Sequence, residues 1–359
     1  MERRTINFSI NLILIFILFL SEIHCVCKKV TTASGSLASK KFCSGDLIFE
    51  ENFNKFNKKL WNHEISLYGG YNGEFQWYTN DRANAYTKEG KLFITPTLSY
   101  KYLPCKCYKA LTSYTLNLSN CTNADHEGCS MTGRPNEIIN PIRSARIKTD
   151  KSFRFKYGKI RIKAKTPRGP FLWPAIWMMP SNSVYGGWPN SGEIDIMESR
   201  GTDQILRGTE ELGNRRVMQT LHFGKYHQFT ETHNTNEEGF HKQFHLYKVD
   251  WKPEYIKFQV DNYPVHIFHG PFQGNYTKSI NNIAPFDKQF YFIINLAIGG
   301  TNGYMPDDAN YAPESKPYAN SDGRRVGQTK YWNSKIWKGI ENNPDESSLQ
   351  VDYIKVWAF

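Results

Sequence analysis

Apolar and polar residues alternate with a period of two along much of this 359-residue chain, the pattern of strands with one buried face. Lys159-Ile-Arg-Ile-Lys-Ala-Lys165 turns Ile160, Ile162 and Ala164 to one side and its basic residues to the other. Tyr255 to Val260 and Tyr263 to Phe268 flank Asp261-Asn262, a hairpin pattern with turn residues at its centre. Phe290 to Ile298 is apolar on both faces, which predicts a strand in the middle of a packed sheet, and Val351 to Trp357 predicts a closing strand. Trp251 and Trp357 fall on such strands and are expected in the core. No segment carries a persuasive helical period, so the pattern predicts an all-β sandwich.

One strand carries an unusual load. Ser191-Gly-Glu-Ile-Asp-Ile-Met-Glu-Ser199 sets Glu193, Asp195 and Glu198 among apolar residues that otherwise read as buried. On a regular strand Glu193 and Asp195 share one face, while Glu198 falls with Ile194 and Ile196 on the other and would be buried alone. A bulge of one residue near Met197 shifts the parity and returns Glu198 to its partners, giving one row of three acids. Four strand steps span about 13 Å, and two glutamates leaning together bring their carboxyls to about 5 Å, the spacing of retaining glycoside hydrolysis. Like charges at that distance repel by about 3 kcal/mol at an effective dielectric of about 20. That is worth about two pKa units, so one glutamate is expected to keep its proton while the other ionises. The alternative is a solvated acidic strand edge.

The chain opens on a targeting pattern. Arg3 and Arg4 precede an apolar run, Ile10 to Leu20, too short to span a bilayer comfortably, and then Ser21 and Glu22, so residues 1–25 are expected to be a secretory signal peptide. Residues 26–42 form a short N-terminal segment, and 43–359 are expected to be one large β domain with long loops. That organisation implies a secreted, extracellular protein, a monomer, with no membrane contact after cleavage. Cysteine usage agrees with an oxidising compartment: of seven cysteines, cleavage after Cys25 leaves an even six. Cys27 with Cys43 and Cys121 with Cys129 are expected as local bridges. Cys105 and Cys107 lie too close in sequence to be an easy pair, and a zinc site there is the less favoured alternative. Residues 99–141 hold four cysteines and the sequons at Asn117 and Asn120, and read as a stapled surface insertion; a third sequon lies at Asn275. Residues 300–345, rich in Gly, Asn, Asp and Pro, read as long loops.

The formal charge is +11. Its lysines are scattered, with no block of five or more, so a solvated surface is expected rather than a nucleic-acid partner. Aromatic residues are more informative. Trp173 and Trp177 lie just before the acidic strand and Trp188 sits between them and Glu193. Indole offers a flat apolar area with a polar edge, suited to the C–H face of a sugar ring, so carboxylates with tryptophans nearby predict a carbohydrate site.

Gly192-Glu-Ile-Asp-Ile-Met-Glu198, preceded by Trp173-Pro-Ala-Ile-Trp177, resembles the family 16 glycoside hydrolases, and within them the laminarinase-like branch with the E-x-D-x-x-E form. Asn72-Gly-Glu-Phe-Gln-Trp-Tyr-Thr79, Ser144-Ala-Arg-Ile-Lys-Thr149, Thr220-Leu-His-Phe-Gly224, Asn295-Leu-Ala-Ile-Gly-Gly300 and Val351 to Trp357 look like the corresponding blocks of invertebrate endo-1,3-β-glucanases and β-1,3-glucan recognition proteins. The resemblance runs from about Cys43 to the C-terminus. It implies a β-jelly roll of two stacked, curved antiparallel sheets with the acids on the concave face. It further implies Glu193 as nucleophile, Glu198 as general acid and base, and Asp195 as the neighbour that orients Glu193. Trp173 and Trp177 would line the subsites before the cleaved bond, Arg146 and Asn72 would contact sugar hydroxyls, and His222 would sit near the acid/base.

Some relatives in that group are glucan sensors that have lost one or both glutamates, whereas this sequence keeps all three acids. The implied activity is hydrolysis of β-1,3-glucan with retention. The alternative is a non-catalytic β-1,3-glucan recognition protein, and a third reading keeps the chemistry with mixed-linkage glucan or sulfated galactan as substrate. No cofactor is required. A structural calcium on the outer sheet is implied by resemblance alone, without an identifiable ligand set. Cys105, Cys107 and the loop from Asp307 to Asp322 depart from the family pattern.

Overall fold

The computed structural model describes residues 42–235, 238–276 and 282–359, with the backbone of Ala33–Ser34. The expected signal segment and Cys27 lie outside the described residues; Cys43 is disulfide-bonded.

Two antiparallel sheets make up the body. The first runs in the order Ala33–Ser34, Arg154–Phe155, Phe290–Ile298, Leu172–Pro180, Glu193–Ser199, Arg216–Phe223 and His227–Asn234, with Arg146–Lys148 and then Asn62–His63 also on the flank of Phe290–Ile298. The second runs His266–His269, Tyr255–Val260, His245–Trp251, Gly158–Lys165, Leu349–Trp357, Lys91–Ile94 and Ala85–Lys88, with Leu47–Glu51 added to Leu349–Trp357. Period-two patterning explains which faces meet. Ile160, Ile162 and Ala164 of the second sheet are fully buried, as are Ile176, Met178, Ile194, Phe292 and Ile294 of the first. Rings cross the gap: Phe49 stands 5.8 Å from Phe292, and Trp251 stands 5.6 Å from Phe155 and 5.4 Å from Phe290. Each such side chain taken out of water contributes about 1.5–3 kcal/mol, which fixes the register of both sheets.

Phe290–Ile298 is central and buried along almost its whole length, as its double-sided apolar pattern predicts. The hairpin expectation needs correction: Tyr255 pairs with His269 and Phe258 with His266, so residues 261–265 form a longer connection. Asp261 is held elsewhere, accepting from Leu246 N at 2.7 Å and lying 2.6 Å from His245 Nδ1, and Pro264 has no N–H for the ladder. Trp357, expected in the core, is only half-buried, because its face of the last strand turns outward beside Lys355 and Tyr353.

Residues 300–345, expected to be long loops, contain two α-helices. Gly323–Asn333 is an α-helix within the stretch read as loops, followed by the short helix Lys338–Asn342. Its buried residues are Gly327, Gln328, Thr329 and Tyr331, so no apolar period betrays it. That face is satisfied by hydrogen bonds instead: Gln328 Nε2 donates to Ile138 O at 2.5 Å, and Ile138 N donates to Thr329 Oγ1 at 3.1 Å. Those partners belong to the Cys-rich stretch 99–141, which carries the hairpin Thr115–Asn117 and Ser130–Thr132 and a cluster of its own around Leu103, Leu111, Leu116 and Met131. Cys121 and Cys129 are bonded as expected. Cys105 and Cys107 are bonded to each other, in keeping with a disulfide over zinc but against the expectation that they lie too close to pair: Lys106 turns in the left-handed region (φ +47°) and the two Cα atoms stand 5.2 Å apart.

Candidate active site

The acids do form one row. Across the sheet Ala175 faces Glu198 and Ile176 faces Met197, but Trp177 faces Asp195, so the register slips by one residue and Ile196 and Met197 are both buried on the core side. Ile194 packs on that side too, which leaves Glu193, Asp195 and Glu198 on the face turned away from the core. Gly192 begins the turn into this strand at φ +90°, and a Cβ there would stand 3.1 Å from both Pro285 and Phe286. Only glycine accepts that conformation and crowding together.

A bulge leaves a carbonyl outside the ladder, and here a side chain takes it up. Gln219, fully buried at a core position of Arg216–Phe223, donates from Nε2 to Ile196 O at 3.0 Å, and its Oε1 lies 3.1 Å from His233 Nε2. A glutamine at a parity that should be apolar was the only sequence signal for this support.

Each outer acid receives an indole N–H. Trp188 Nε1 donates to Glu193 Oε2 at 2.5 Å and Trp173 Nε1 donates to Glu198 Oε1 at 2.9 Å. Trp188 is 55% exposed, as a ligand platform needs, whereas Trp173 is 7% exposed with one face covered by Tyr304 (ring centres 3.7 Å apart, 4° between planes). Arg200 lies 4.0 Å from the centre of the Tyr304 ring, so indole, phenol and guanidinium are in sequence. Trp177 donates to Asn295 Oδ1 at 2.7 Å. Tyr304 was missed because it lies in the stretch read as loop.

His222 pairs in register with Glu193, not Glu198, and its Nε2 is 3.1 Å from Asp195 Oδ2. That oxygen is buried and accepts no aligned hydrogen bond, so the contact is a close approach rather than a directed bond. Arg146, expected to reach sugar hydroxyls, is largely enclosed: it donates to Tyr68 Oη at 2.6 Å and Tyr78 Oη at 3.4 Å, and lies 3.7 Å from both Glu64 and Glu74, beneath Trp177. Asn72 is half-buried, donating to Glu74 Oε1 at 3.0 Å and accepting from Asn302 Nδ2 at 2.8 Å. The structure therefore brings the acids, the three tryptophans and His222 together, and places Arg146 behind that surface and Asn72 to its side.

Burial sets the electrostatics. Desolvation, then the charges of Asp195 and Glu198, push the Glu193 carboxyl well above the ordinary carboxylate range, with His222 opposing. Desolvation and the Glu198 charge do the same to Asp195. Glu198 is also raised by desolvation, with the Trp173 N–H, His222 and Arg200 pulling it back. Burial and like charge together disfavour ionising all three at once, so neighbouring carboxyls in the row share protons rather than ionise together. Such a row can hold a proton donor beside an ionised carboxylate.

Among the described residues, the one cluster of three side chains able to hold a metal is Glu193, Asp195 and His222, with ligand atoms within 4.8 Å of one another. It lies in the acid row itself, where Trp188 Nε1 already donates to Glu193 while Asp195 Oδ2 has no hydrogen-bond donor.

A family model described as glycosyl hydrolases family 16 matches residues 111–285. A β-1,3-glucan-binding protein of Penaeus monodon is 40% identical over 341 residues, covering 87% of this chain and 90% of that protein. The chain belongs to glycosyl hydrolase family 16. A glucan endo-1,3-β-glucosidase of Cryptopygus antarcticus is 33% identical over 262 residues, 71% of this chain and 80% of that one. A solved laminarinase from Flavobacterium sp. UMI-01 superposes with a TM-score of 0.53 at 28% identity, covering 87% of this chain and all (100%) of the other. The family 16 sandwich is thus the frame on which the acid row sits.

Proposed function

We propose that this protein is a secreted glycoside hydrolase that cleaves β-1,3-glucan internally with retention. The observation that carries the reading is the acid row itself: two glutamates on one face, three carboxyls raised by burial, and an indole N–H fixed on each outer acid. Glu198 gives its proton to the glycosidic oxygen as the Glu193 carboxylate attacks the anomeric carbon. The glycosidic bond breaks and a glycosyl ester forms on Glu193. Water then attacks the anomeric carbon, giving its proton to Glu198, and Glu193 leaves as carboxylate. Asp195, between the two, shares a proton with Glu193 and orients it, and His222 holds Asp195 from the other side. Relatives of both kinds, a named glucosidase and a named binding protein, support the β-1,3-glucan substrate. The bonded cysteines support an extracellular site of action. No helix of the described residues is long and apolar enough to cross a membrane.

The second reading, a glucan receptor that does not cut, is favoured by the name of the 40%-identical Penaeus protein. Reducing-sugar release from laminarin separates the two. The unmodified chain is expected to release new ends, and Glu193→Gln to lose about 10³-fold or more in kcat. Inactivity of both, with curdlan binding intact, overturns hydrolysis in favour of the receptor.

A further inference from the structure

Glu193, Asp195 and His222 each turn one possible metal-ligand atom towards the others, all within 4.8 Å. Strand register produces the convergence. Glu193 pairs with His222 and Asp195 with Thr220 on the neighbouring strand, so the imidazole reaches across to the next acid of the row and brings Nε2 to 3.1 Å from Asp195 Oδ2. Asp195 is 2% exposed, and that oxygen accepts no hydrogen bond, from His222 or from any other donor. Buried charged groups are ordinarily paired by hydrogen bonds or bound to a metal. An imidazole nitrogen and a carboxylate oxygen facing each other with no aligned N–H between them have the arrangement of two arms of a chelate.

The donor set selects the ion. Calcium takes about six to eight oxygen ligands and magnesium keeps an octahedral oxygen shell, and neither is served by an imidazole beside two carboxylates. Zinc accepts nitrogen and oxygen together at about 2.0–2.2 Å, commonly from three side chains with water in the fourth position. Atoms 3.1 Å apart can both reach such an ion, and the Glu193 carboxylate supplies the third arm. Two carboxylates crowded in one row gain from a dication between them. The surroundings hold these arms in place. Trp188 Nε1 donates to Glu193 Oε2 at 2.5 Å, its ring stands 5.8 Å from that of His222, and Gln219 braces the bulge through Ile196 O at 3.0 Å. The His222 side chain is 20% exposed, which gives an ion its way in.

We propose that Glu193, Asp195 and His222 form an inhibitory zinc site, at which the ion takes up the Glu193 electron pair that would otherwise attack the anomeric carbon. Binding stands on the geometry alone; inhibition rests on the proposed hydrolysis. Zinc chloride is titrated by calorimetry into the full chain after treatment with EDTA. One zinc per chain is expected, with affinity about ten- to a hundredfold weaker in His222→Gln and in Asp195→Asn. His266→Gln, at the separate pair in which His266 Nδ1 lies 2.8 Å from Glu231, should keep the parent affinity. Zinc should also raise the thermal midpoint of the parent and leave that of the two ligand variants unmoved, and their cooperative melts show that they are folded. Reducing-sugar release from laminarin should fall over the zinc range in which the site fills and return on adding EDTA. No binding by the parent, or equal binding by His222→Gln, overturns the site, and a filled site without inhibition overturns its inhibitory role. If the unmodified chain releases no reducing ends even without zinc and His222→Gln still loses the metal, hydrolysis is overturned and the zinc site stands.

Discussion

Trp173 joins ring stacking to carboxyl electrostatics in a single side chain. Its indole is clamped by Tyr304 on one face while its N–H pulls the Glu198 carboxyl back from the rise that burial imposes. Trp173→Phe removes that donor, so Glu198 should hold its proton to higher pH. Because the general acid must be protonated, the alkaline limb of the kcat/KM profile on laminarin is expected to move upward. An unmoved limb argues against Glu198 as the acid. His233 supplies the corresponding prediction for stability. Burial, with the charge of His266 adding to it, pushes its imidazole down to about 4, against about 6.5 in an unfolded chain. The unfolded state therefore binds the extra proton between those values. The contribution of His233 is complete above pH 6.5, is lost as pH falls to about 4, and changes no further below that. Thermal melts across that window should show a falling midpoint, flattened in His233→Gln.

At the scale of the element, the bulged strand shows what a sequence exposes and what it hides. Three acids could not share a face on a regular pleat, so the parity of Glu193, Asp195 and Glu198 among Ile194, Ile196 and Met197 already required the slip that the register shows. The brace for that slip is hidden, because Gln219 lies on the next strand and reads as a stray polar residue. Gln219→Leu keeps its volume but strands both Ile196 O and His233 Nε2 in the core. A loss of about 1–3 kcal/mol per orphaned group is expected in denaturant midpoints, together with a drop in kcat as Glu198 loses its fixed direction. Retention of full activity would mean the backbone holds the bulge unaided. The helix Gly323–Asn333 was illegible for the opposite reason: it buries Gln328 and Thr329 rather than leucines, so hydrogen bonds do the work that periodicity detects. Tyr304 and the Cys105–Cys107 bridge were missed alike, since both depend on the path of irregular backbone, which alternation does not encode.

Over the whole molecule the formal charge is +11, 45 Lys and Arg against 34 Asp and Glu, and individual bases are locally paired, as in Arg168 with Asp203 and Glu346 or Lys355 with Glu50. A β-1,3-glucan is uncharged, so its binding under the proposed function would owe little to that excess. Affinity for laminarin is expected to change less than about twofold between low salt and several times the physiological level, whereas charge-driven binding would fall steeply. The helix Gly323–Asn333 has a consequence at this scale too. Arg325 grips Thr132 O and Glu127, and Gln328 and Thr329 grip Ile138, so the bridged stretch is held from outside its own covalent loop. A protease that severs the backbone near Asp125 would cut the chain without freeing either piece. The nicked product should migrate as one body in native gel filtration and as two fragments only after reduction and denaturation, so the molecule would outlast damage to its most exposed arm.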